Sequence, residues 1–159
     1  MIRVLVFSDS HGSVSEMFEV VRKIPNVEHI IHLGDIYRDV VALLDEFSDI
    51  KIHFVQGNND PYHNYDTEKL IRIDEIPIFI THGHNYSLSS GAKALLASDK
   101  AKKAKIILYG HTHMQDYHVF EDKIIANPGS ISRPRYGMPS YGIIEIENGE
   151  IGYSNIEIF

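Results

Sequence analysis

Five short polar motifs in the sequence contain residues that can bind metal ions. They are Asp9-Ser10-His11, Gly34-Asp35, Gly57-Asn58-Asn59-Asp60, His82-Gly83-His84 and Gly110-His111-Thr112-His113. The chain has 10 histidines and no cysteine, so a metal ion would be bound through nitrogen and oxygen atoms. Imidazole suits Mn, Fe, Ni and Zn, and carboxylate or amide oxygen suits Mn and Mg. The motifs therefore predict chemistry at a divalent metal centre.

Each of the five motifs comes directly after a predicted strand. These strands are residues 4–8, 29–33, 51–56, 76–81 and 106–109. In an open α/β sheet, the strand ends on one side form the binding crevice. We therefore expect the motifs to converge at one edge of a sheet, with glycines beside the candidate ligands that let the backbone turn sharply and approach closely.

Helices are predicted between the early strands. Ser13 begins the first helix, and its spacing from Glu16 is that of a capping box. Asp39 is the expected N-cap of a second helix over residues 40–47. A third helix is expected to begin at residue 89 or 90 and to continue to residue 101.

The last third of the chain changes character. Two antiparallel hairpins are predicted over residues 117–126 and 143–158, and Asn148-Gly149 in the second is a strong hairpin signal. Because βαβ units come first and hairpins last, the pattern predicts α/β layers: a mixed sheet with a second sheet packed on it. The length of 159 residues suits one domain, residues 1–159.

Charge and hydropathy restrict the partners. The net charge is −7 and the pI is about 5.7, which disfavours long nucleic acid as a ligand because that normally requires a basic surface. No stretch approaches the length of a membrane span, and the N-terminus lacks a signal-peptide cleavage site, so we expect no membrane association and a cytoplasmic location. A homo-oligomer is left open.

In this order, the five motifs resemble those of the calcineurin-like metallophosphoesterases, with a match that runs from Phe7 to Arg135. The segment Asn127-Pro128-Gly129-Ser130, followed by Arg133-Pro134-Arg135, resembles the small single-domain bacterial and archaeal phosphodiesterase branch. The resemblance implies a β-sandwich of two mixed sheets flanked by helices, in α/β/β/α layers. It also implies hydrolysis of a small phosphoester, most simply a phosphodiester, by metal-activated water.

The resemblance also implies a ligand set for two divalent ions, which would be Mn, Ni, Fe or Zn, with Mg also open. Asp9, His11 and His113 would bind the first ion. The second would take Asn58, His82 and His111, and Asp35 would bridge the two. Paired divalent ions fit this chemistry because they can clamp the nucleophile and a phosphoryl oxygen together.

Catalytic and substrate roles are less sharply specified. Asp35, Asn58, Asn59 and His84 are the expected catalytic residues, the first two through the metals. Asn59 and His84 are also expected to bind substrate. Many relatives carry a histidine at the position of Asn59, where it is thought to protonate the leaving group, so the general acid is in doubt. His84 could also be a simple hydrogen-bond partner.

Several other residues have weaker interpretations. Ser130 and Arg133 could bind substrate or merely shape their loop, and Tyr37 and Tyr136 could stack on a nucleobase. His32, beside the second motif, could support it from behind. The histidines expected to be structural or on the surface are His29, His53, His63 and His118.

Two rival functions remain. The first is a protein-interaction scaffold of the vacuolar sorting protein 29 type, which shares the fold of this branch; intact candidate ligands argue against it. The second is a nuclease, which the acidic charge disfavours.

Overall fold

The computed structural model describes residues 1–60 and 65–159 and contains ten strands and three α-helices. The strands are β1 (Ile2–Phe7), β2 (Val27–His32), β3 (Lys51–Phe54), β4 (Glu68–Ile73), β5 (Ile76–Thr81), β6 (Ile106–Tyr109), β7 (Gln115–Phe120), β8 (Lys123–Pro128), β9 (Ser140–Glu147) and β10 (Glu150–Glu157). The α-helices are α1 (Val14–Lys23), α2 (Tyr37–Glu46) and α3 (Asp99–Lys103), and 3-10 segments cover Leu88–Ser90 and Ala92–Ala97. No described helix is long and apolar enough to cross a membrane.

The strands form two five-stranded mixed sheets. The first has the order β10-β9-β1-β2-β3, and the second has the order β4-β5-β6-β8-β7. Within the first sheet β1, β2 and β3 are parallel, and within the second β5, β6 and β8 are parallel. The predicted fold class is therefore confirmed. The expectation that all five motifs lie at the edge of one sheet is wrong, because three follow strands of the first sheet and two follow strands of the second.

Side chains that alternate along each strand pack into different layers of the fold. In β1, Val4 and Val6 face the second sheet and pack in one cluster with residues such as Ile80. The alternate residues Leu5 and Phe7 face α1 and α2. This alternation follows from the two-residue period of a strand. Each fully buried aliphatic side chain contributes roughly 1.5–3 kcal/mol, so the sandwich interior is the main source of stability that holds the strand ends in place.

A separate hydrophobic cluster covers the outer face of the second sheet. Phe79 and Ile107 pack against Leu95 and Ala101, which come from the 3-10 segment Ala92–Ala97 and from α3. The order of layers is therefore helix, sheet, sheet and helix.

Three local predictions about helices are wrong. Ser13 stands at the N-cap of α1, but its side chain makes no capping hydrogen bond. Asp39 lies inside the first turn of α2, whose N-cap is Ile36. The third helix is broken: Gly91, with φ of +97°, separates two 3-10 segments, and α3 begins only after Ser98. Glycine adopts such a backbone at little cost, which is why it can interrupt the helix there.

Candidate metal centre

The five motifs converge although they belong to two sheets. Within the first sheet, the Asp9 N–H donates to the Gly34 carbonyl at 3.2 Å. Within the second, the Gly110 N–H donates to the His82 carbonyl at 3.0 Å. Between the sheets, the His111 N–H donates to Asp9 Oδ2 at 3.0 Å. Packing of the sandwich therefore places the carboxyl ends of β1, β2, β5 and β6 around one space.

Five of the candidate ligands have a left-handed backbone, with positive φ. The residues concerned are Asp9 (φ 53°), His11 (φ 43°), Asp35 (φ 61°), His111 (φ 69°) and His113 (φ 59°). Positive φ is uncommon outside glycine, and Asp, Asn and His tolerate it best. Such residues cluster at functional sites because the surrounding structure must compensate for their cost. Here each left-handed residue lies in the loop that follows a strand.

Glycine is required where these turns pack together. A Cβ on Gly57 would lie 2.1 Å from Asp35 Oδ1, and one on Gly110 would lie 2.0 Å from Ser8 Oγ. Both distances are far below contact, so a side chain at Gly57 would displace Asp35, and one at Gly110 would displace Ser8, which precedes the candidate ligand Asp9. The motif glycines therefore permit close approach of neighbouring turns, as the sequence predicts.

Asp9, His11, Asp35 and His113 form a tight group whose ligand atoms all lie within 4.8 Å of one another. His113 Nε2 lies 3.4 Å from Asp9 Oδ1, and His11 Nε2 lies 3.7 Å from Asp35 Oδ2. Asp9 Oδ1 and His11 Nε2 are buried, and neither has a hydrogen-bond partner among the described residues. Unpaired buried polar atoms are costly, and a divalent cation would satisfy both, so this group fits the first predicted ion.

Asn58, His82 and His111 form a second group beside the first. Asn58 Oδ1 lies 3.0 Å from His82 Nε2 and 3.2 Å from His111 Nδ1. His82 Nε2 also lies 3.4 Å from Asp35 Oδ1. The two oxygens of Asp35 therefore face different groups, Oδ2 towards His11 and Oδ1 towards His82, which is the arrangement a bridging carboxylate needs.

Backbone carbonyls select the tautomer of two histidines. His82 Nδ1–H donates to the Leu33 carbonyl at 2.7 Å, and His113 Nδ1–H donates to the Arg133 carbonyl at 2.7 Å. A carbonyl only accepts, so Nδ1 must carry the hydrogen. In the neutral ring, the Nε2 lone pair then faces the carboxylates, which is the orientation that metal-binding histidines adopt.

The electrostatics of the group suit a cation. Burial raises the pKa of the Asp9 carboxyl, but His113, His82 and Ser8 outweigh it and hold the pKa below its ordinary value. The nearby Asp9 carboxylate raises the pKa of His113. Burial lowers the pKa of His111 and of His84, so these rings are neutral at neutral pH. The site thus combines the ionised carboxylate of Asp9 with the neutral imidazoles of His111 and His84.

A buried hydrogen-bonded chain supports the first two motifs. The Gly34 N–H donates to His32 Nδ1 at 3.2 Å, so the other ring nitrogen carries the proton and donates to Ser10 Oγ at 2.9 Å. The Ser10 hydroxyl donates to Asp39 Oδ2 at 2.6 Å, and the Gly12 N–H donates to the same oxygen at 2.8 Å. The supporting role considered for His32 is thus matched by its contacts.

Sequence reasoning missed the role of Asp39. A signal was present, because Asp39 lies four residues before the buried Leu43 and so stands on the apolar face of α2. A carboxylate on the buried face of a helix requires partners, and here they are Ser10 and Gly12. The structural role of Asp60 was also missed. Its carboxylate accepts hydrogen bonds from the N–H groups of Tyr37 and Gly57 and so fixes the position of the third motif.

Asn59 contacts a candidate ligand. Its N–H donates to Asp35 Oδ1 at 3.1 Å, and its side-chain amide donates to Asp35 Oδ2 at 2.9 Å. The side chain therefore orients Asp35 in this structure. His84 lies on the other side, with its ring centroid 5.4 Å from that of His82, and its Nδ1 is buried without a hydrogen-bond partner among the described residues.

The predicted substrate residues after β8 separate into two kinds. Ser130 is buried; its hydroxyl donates to the Asp9 carbonyl at 2.8 Å and accepts from the Arg133 N–H at 2.7 Å, so it shapes the loop. The Arg133 side chain is exposed at the rim.

The two tyrosines considered for stacking also differ. Tyr136 is 74% exposed. Tyr37 stacks on Tyr65, with ring centroids 4.7 Å apart. His63, expected to be structural or on the surface, lies outside the described residues.

Comparison with known proteins identifies the family of this site. The sequence model of the calcineurin-like phosphoesterase superfamily domain matches residues 2–149. The chain is 26% identical to Phosphodiesterase MJ0936 of Methanocaldococcus jannaschii, over 94% of this chain and 96% of that protein. A crystal structure of a predicted phosphoesterase from Streptococcus pneumoniae superposes with a TM-score of 0.77 and 28% identity, over 98% of this chain and 88% of the other.

The same fold also occurs in a protein with a different name. Wild-type Vps29 from Entamoeba histolytica, crystallised with Zn²⁺, superposes with a TM-score of 0.75 and 19% identity, over 98% of each chain. At this identity the likeness shows the fold alone.

Proposed function

The chain belongs to the calcineurin-like phosphoesterase superfamily, and we propose that it hydrolyses phosphodiester bonds at a centre of two divalent metal ions. The observation that carries the proposal is the position of Asp35, whose two carboxylate oxygens face two separate groups of nitrogen and oxygen donors. The name of the relative from Methanocaldococcus jannaschii supports a diester rather than another phosphoester.

Seven side chains are proposed to hold the ions. Asp9, His11 and His113 bind the first, Asn58, His82 and His111 bind the second, and Asp35 bridges them. Bound ions would activate a water molecule near neutral pH and stabilise charge on the phosphoryl oxygens. Mn, Ni, Fe and Zn suit this mixture of imidazole, carboxylate and amide donors, and Mg suits it less well.

The protein's own groups keep this donor set in order. Asn59 orients Asp35 through two hydrogen bonds, and the carbonyls of Leu33 and Arg133 orient His82 and His113. These contacts keep the donors in place before substrate arrives, so little reorganisation is needed during the reaction.

His84 is the proposed proton donor to the leaving group; its ring is neutral in the free protein, so it would take up a proton when the anionic substrate binds. Its Nδ1 has no partner among the described residues, and the ring lies beside His82 and His111 at the second ion's position. Asn59 cannot fill this role, because an amide donates a hydrogen bond but does not give up a proton at neutral pH. Arg133, exposed at the rim, is proposed to attract the anionic substrate.

The substrate is proposed to be a small phosphodiester. A net charge of −7 opposes long nucleic acid at physiological salt. Asn58 and Asn59 are exposed, so the site is open to solvent on that side and suits small esters.

The test is a hydrolysis assay on metal-stripped protein. Mn, Ni, Mg and Zn are each added back, with bis(p-nitrophenyl) phosphate and p-nitrophenyl phosphate as substrates and elemental analysis of the loaded protein. We expect no turnover without metal, two bound ions per chain, and faster turnover of the diester. A chain that binds no metal and hydrolyses neither ester would favour the interaction scaffold and overturn the proposal.

A further inference from the structure

A cavity of about 420 Å³ opens directly beside the candidate metal centre. His111, a proposed ligand of the second ion, forms part of its lining. Other lining residues include Tyr86, Ser87, Leu88, Met114 and Arg135. The volume lies in the range of small-molecule sites, which is about 300–1,000 Å³.

The wall of this cavity is attached to the motif that carries His82. The Tyr86 N–H donates to the Gly83 carbonyl at 3.0 Å. Leu88 packs so closely on Gly83 that a Cβ there would lie 2.9 Å from Leu88 Cδ1. The wall is therefore held at a constant position relative to the metal ligands.

Another part of the lining carries a cation that is available for binding. The Arg135 N–H donates to the His113 carbonyl at 2.9 Å, which places the residue beside the first group of ligands. Its guanidinium makes no hydrogen bond or ion pair with any residue in 1–60 or 65–159, and it is exposed. In a protein of net charge −7, an unpaired arginine next to a proposed phosphate site is a notable local charge.

The lining combines three kinds of contact. Tyr86, Leu88 and Met114 offer apolar and aromatic surface, and Ser87 offers a hydroxyl. Arg135 offers a planar set of donors that can stack on a ring and bond to acceptor atoms. A lining of this mixed composition, in which polar surface exceeds apolar surface, can both pack on a ring and bond to its acceptor atoms.

We propose that this cavity is the subsite for the second organic group of the phosphodiester, an aromatic ring with hydrogen-bond acceptors, such as a substituted aryl group or a nucleobase. The ring packs on Tyr86, Leu88 and Met114, and the Arg135 guanidinium donates to its acceptor atoms. This inference rests on the proposed phosphodiesterase function and names the substrate class.

The test uses three esters that all release p-nitrophenolate. Methyl p-nitrophenyl phosphate has no second ring, phenyl p-nitrophenyl phosphate has a plain ring, and bis(p-nitrophenyl) phosphate has a ring with acceptors. Metal-loaded wild type is compared with Ser87→Trp, which fills the cavity from an exposed position, and with Arg135→Met. The matched controls are Ser154→Trp and Arg72→Met, which are exposed and lie on β10 and β4.

We expect Ser87→Trp to raise KM for both ring esters about tenfold relative to KM for the methyl ester. Arg135→Met should raise KM for bis(p-nitrophenyl) phosphate about fivefold relative to the phenyl ester. The controls should change neither ratio. If the variants affect all three esters equally, or none, the subsite does not exist.

A binding measurement separates this inference from the proposed function. Diphenyl phosphate has a poor leaving group, and its binding to the metal-loaded protein can be followed by calorimetry. Suppose that the wild type binds diphenyl phosphate, that Ser87→Trp weakens this binding, and that no ester is hydrolysed. The subsite is then supported and the hydrolase function is refuted. If hydrolysis proceeds and Ser87→Trp leaves binding unchanged, then the subsite falls alone. Absence of both binding and hydrolysis overturns both.

Discussion

Two groups of histidines in this molecule show how neighbours decide the chemistry of one residue type. At the strand ends, the ring nitrogens of His82 and His113 face Asp9 and Asp35. On the outer part of the first sheet, His29 on β2 and His53 on β3 stack on each other, with Nδ1 of the first 3.1 Å from Nε2 of the second.

The two groups have different electrostatic surroundings. Burial, together with the charges of the neighbouring His29 and Lys51, lowers the pKa of His53 to about 4. The pKa of His113 is raised instead, first of all by the neighbouring Asp9 carboxylate. Histidines facing carboxylates can share a cation with them, whereas the stacked pair can only stay neutral. Metal chemistry is therefore expected at the strand ends and not at the stacked pair.

The largest expected effect is that of Asp35→Asn. Removing this charge should lower kcat/KM for bis(p-nitrophenyl) phosphate by about 10³-fold and reduce the metal content, because one carboxylate serves both groups of donors. The measurement is steady-state kinetics with elemental analysis. Asp45→Asn, on the exposed side of α2, is the matched control and should leave both values unchanged. Full metal content and turnover in Asp35→Asn would refute the bridging role.

His84→Ala should have a smaller effect that depends on the leaving group. A positioned acid contributes roughly 10²–10⁴-fold when the leaving oxygen is a poor alkoxide, and little when it is a nitrophenolate. We therefore expect the dependence of the rate on leaving-group pKa to become steeper in this variant, with metal content unchanged. A series of alkyl and aryl diesters measures the slope. Identical slopes in wild type and variant would show that His84 is not the acid.

Asp39→Asn tests the support behind the first two motifs. Its carboxylate accepts from Ser10 and Gly12, so the neutral amide should loosen the turn that carries Asp9 and His11. Partners behind metal ligands typically change affinity by about 10–100-fold. Calorimetric metal titration should show a loss in that range, while Asp45→Asn again serves as the control. Unchanged affinity would mean that Asp39 supports the fold without supporting the site.

The smallest effect is expected from the stacked pair and concerns pH. The pKa of His53 is lower in the folded protein, so the unfolded chain binds more protons between its ordinary value of 6.5 and about 4. The stability that this pair contributes is therefore complete above pH 6.5 and is lost as pH falls through that window. His53→Gln should reduce the acid-induced loss by about 1 kcal/mol, a figure discounted for the partial exposure of the ring.

Urea unfolding at neutral and acidic pH, with metal removed by a chelator, isolates this contribution. The difference between wild type and His53→Gln cancels the titration of the strand-end histidines, which both proteins share. An equal pH dependence in the two proteins would mean that the stacked pair titrates normally, and the contrast between the two groups would then lose its electrostatic basis.

Much of the fold could be predicted because its signals are local. The strands with their alternating apolar residues, the hairpin at Asn148-Gly149 and the turns after each strand depend on residues close in sequence. The predicted helix over residues 89–101 is not continuous, although that prediction also rested on a local signal. Its composition favours a helix, but Gly91 has a left-handed backbone and interrupts it.

The sequence by itself determined which residues are able to bind metal and that each follows a strand. Only the tertiary structure decided how they meet. The motifs are divided between two sheets, and the hydrogen bond from the His111 N–H to Asp9 Oδ2 joins residues 102 positions apart. It also placed Asn59 on Asp35, Asp39 beneath Ser10, and Arg135 in the lining of the cavity. The periodicity of apolar residues indicates which residues of a strand are buried. Contacts across the sandwich depend on how the two sheets pack on each other, and no local sequence pattern contains that information.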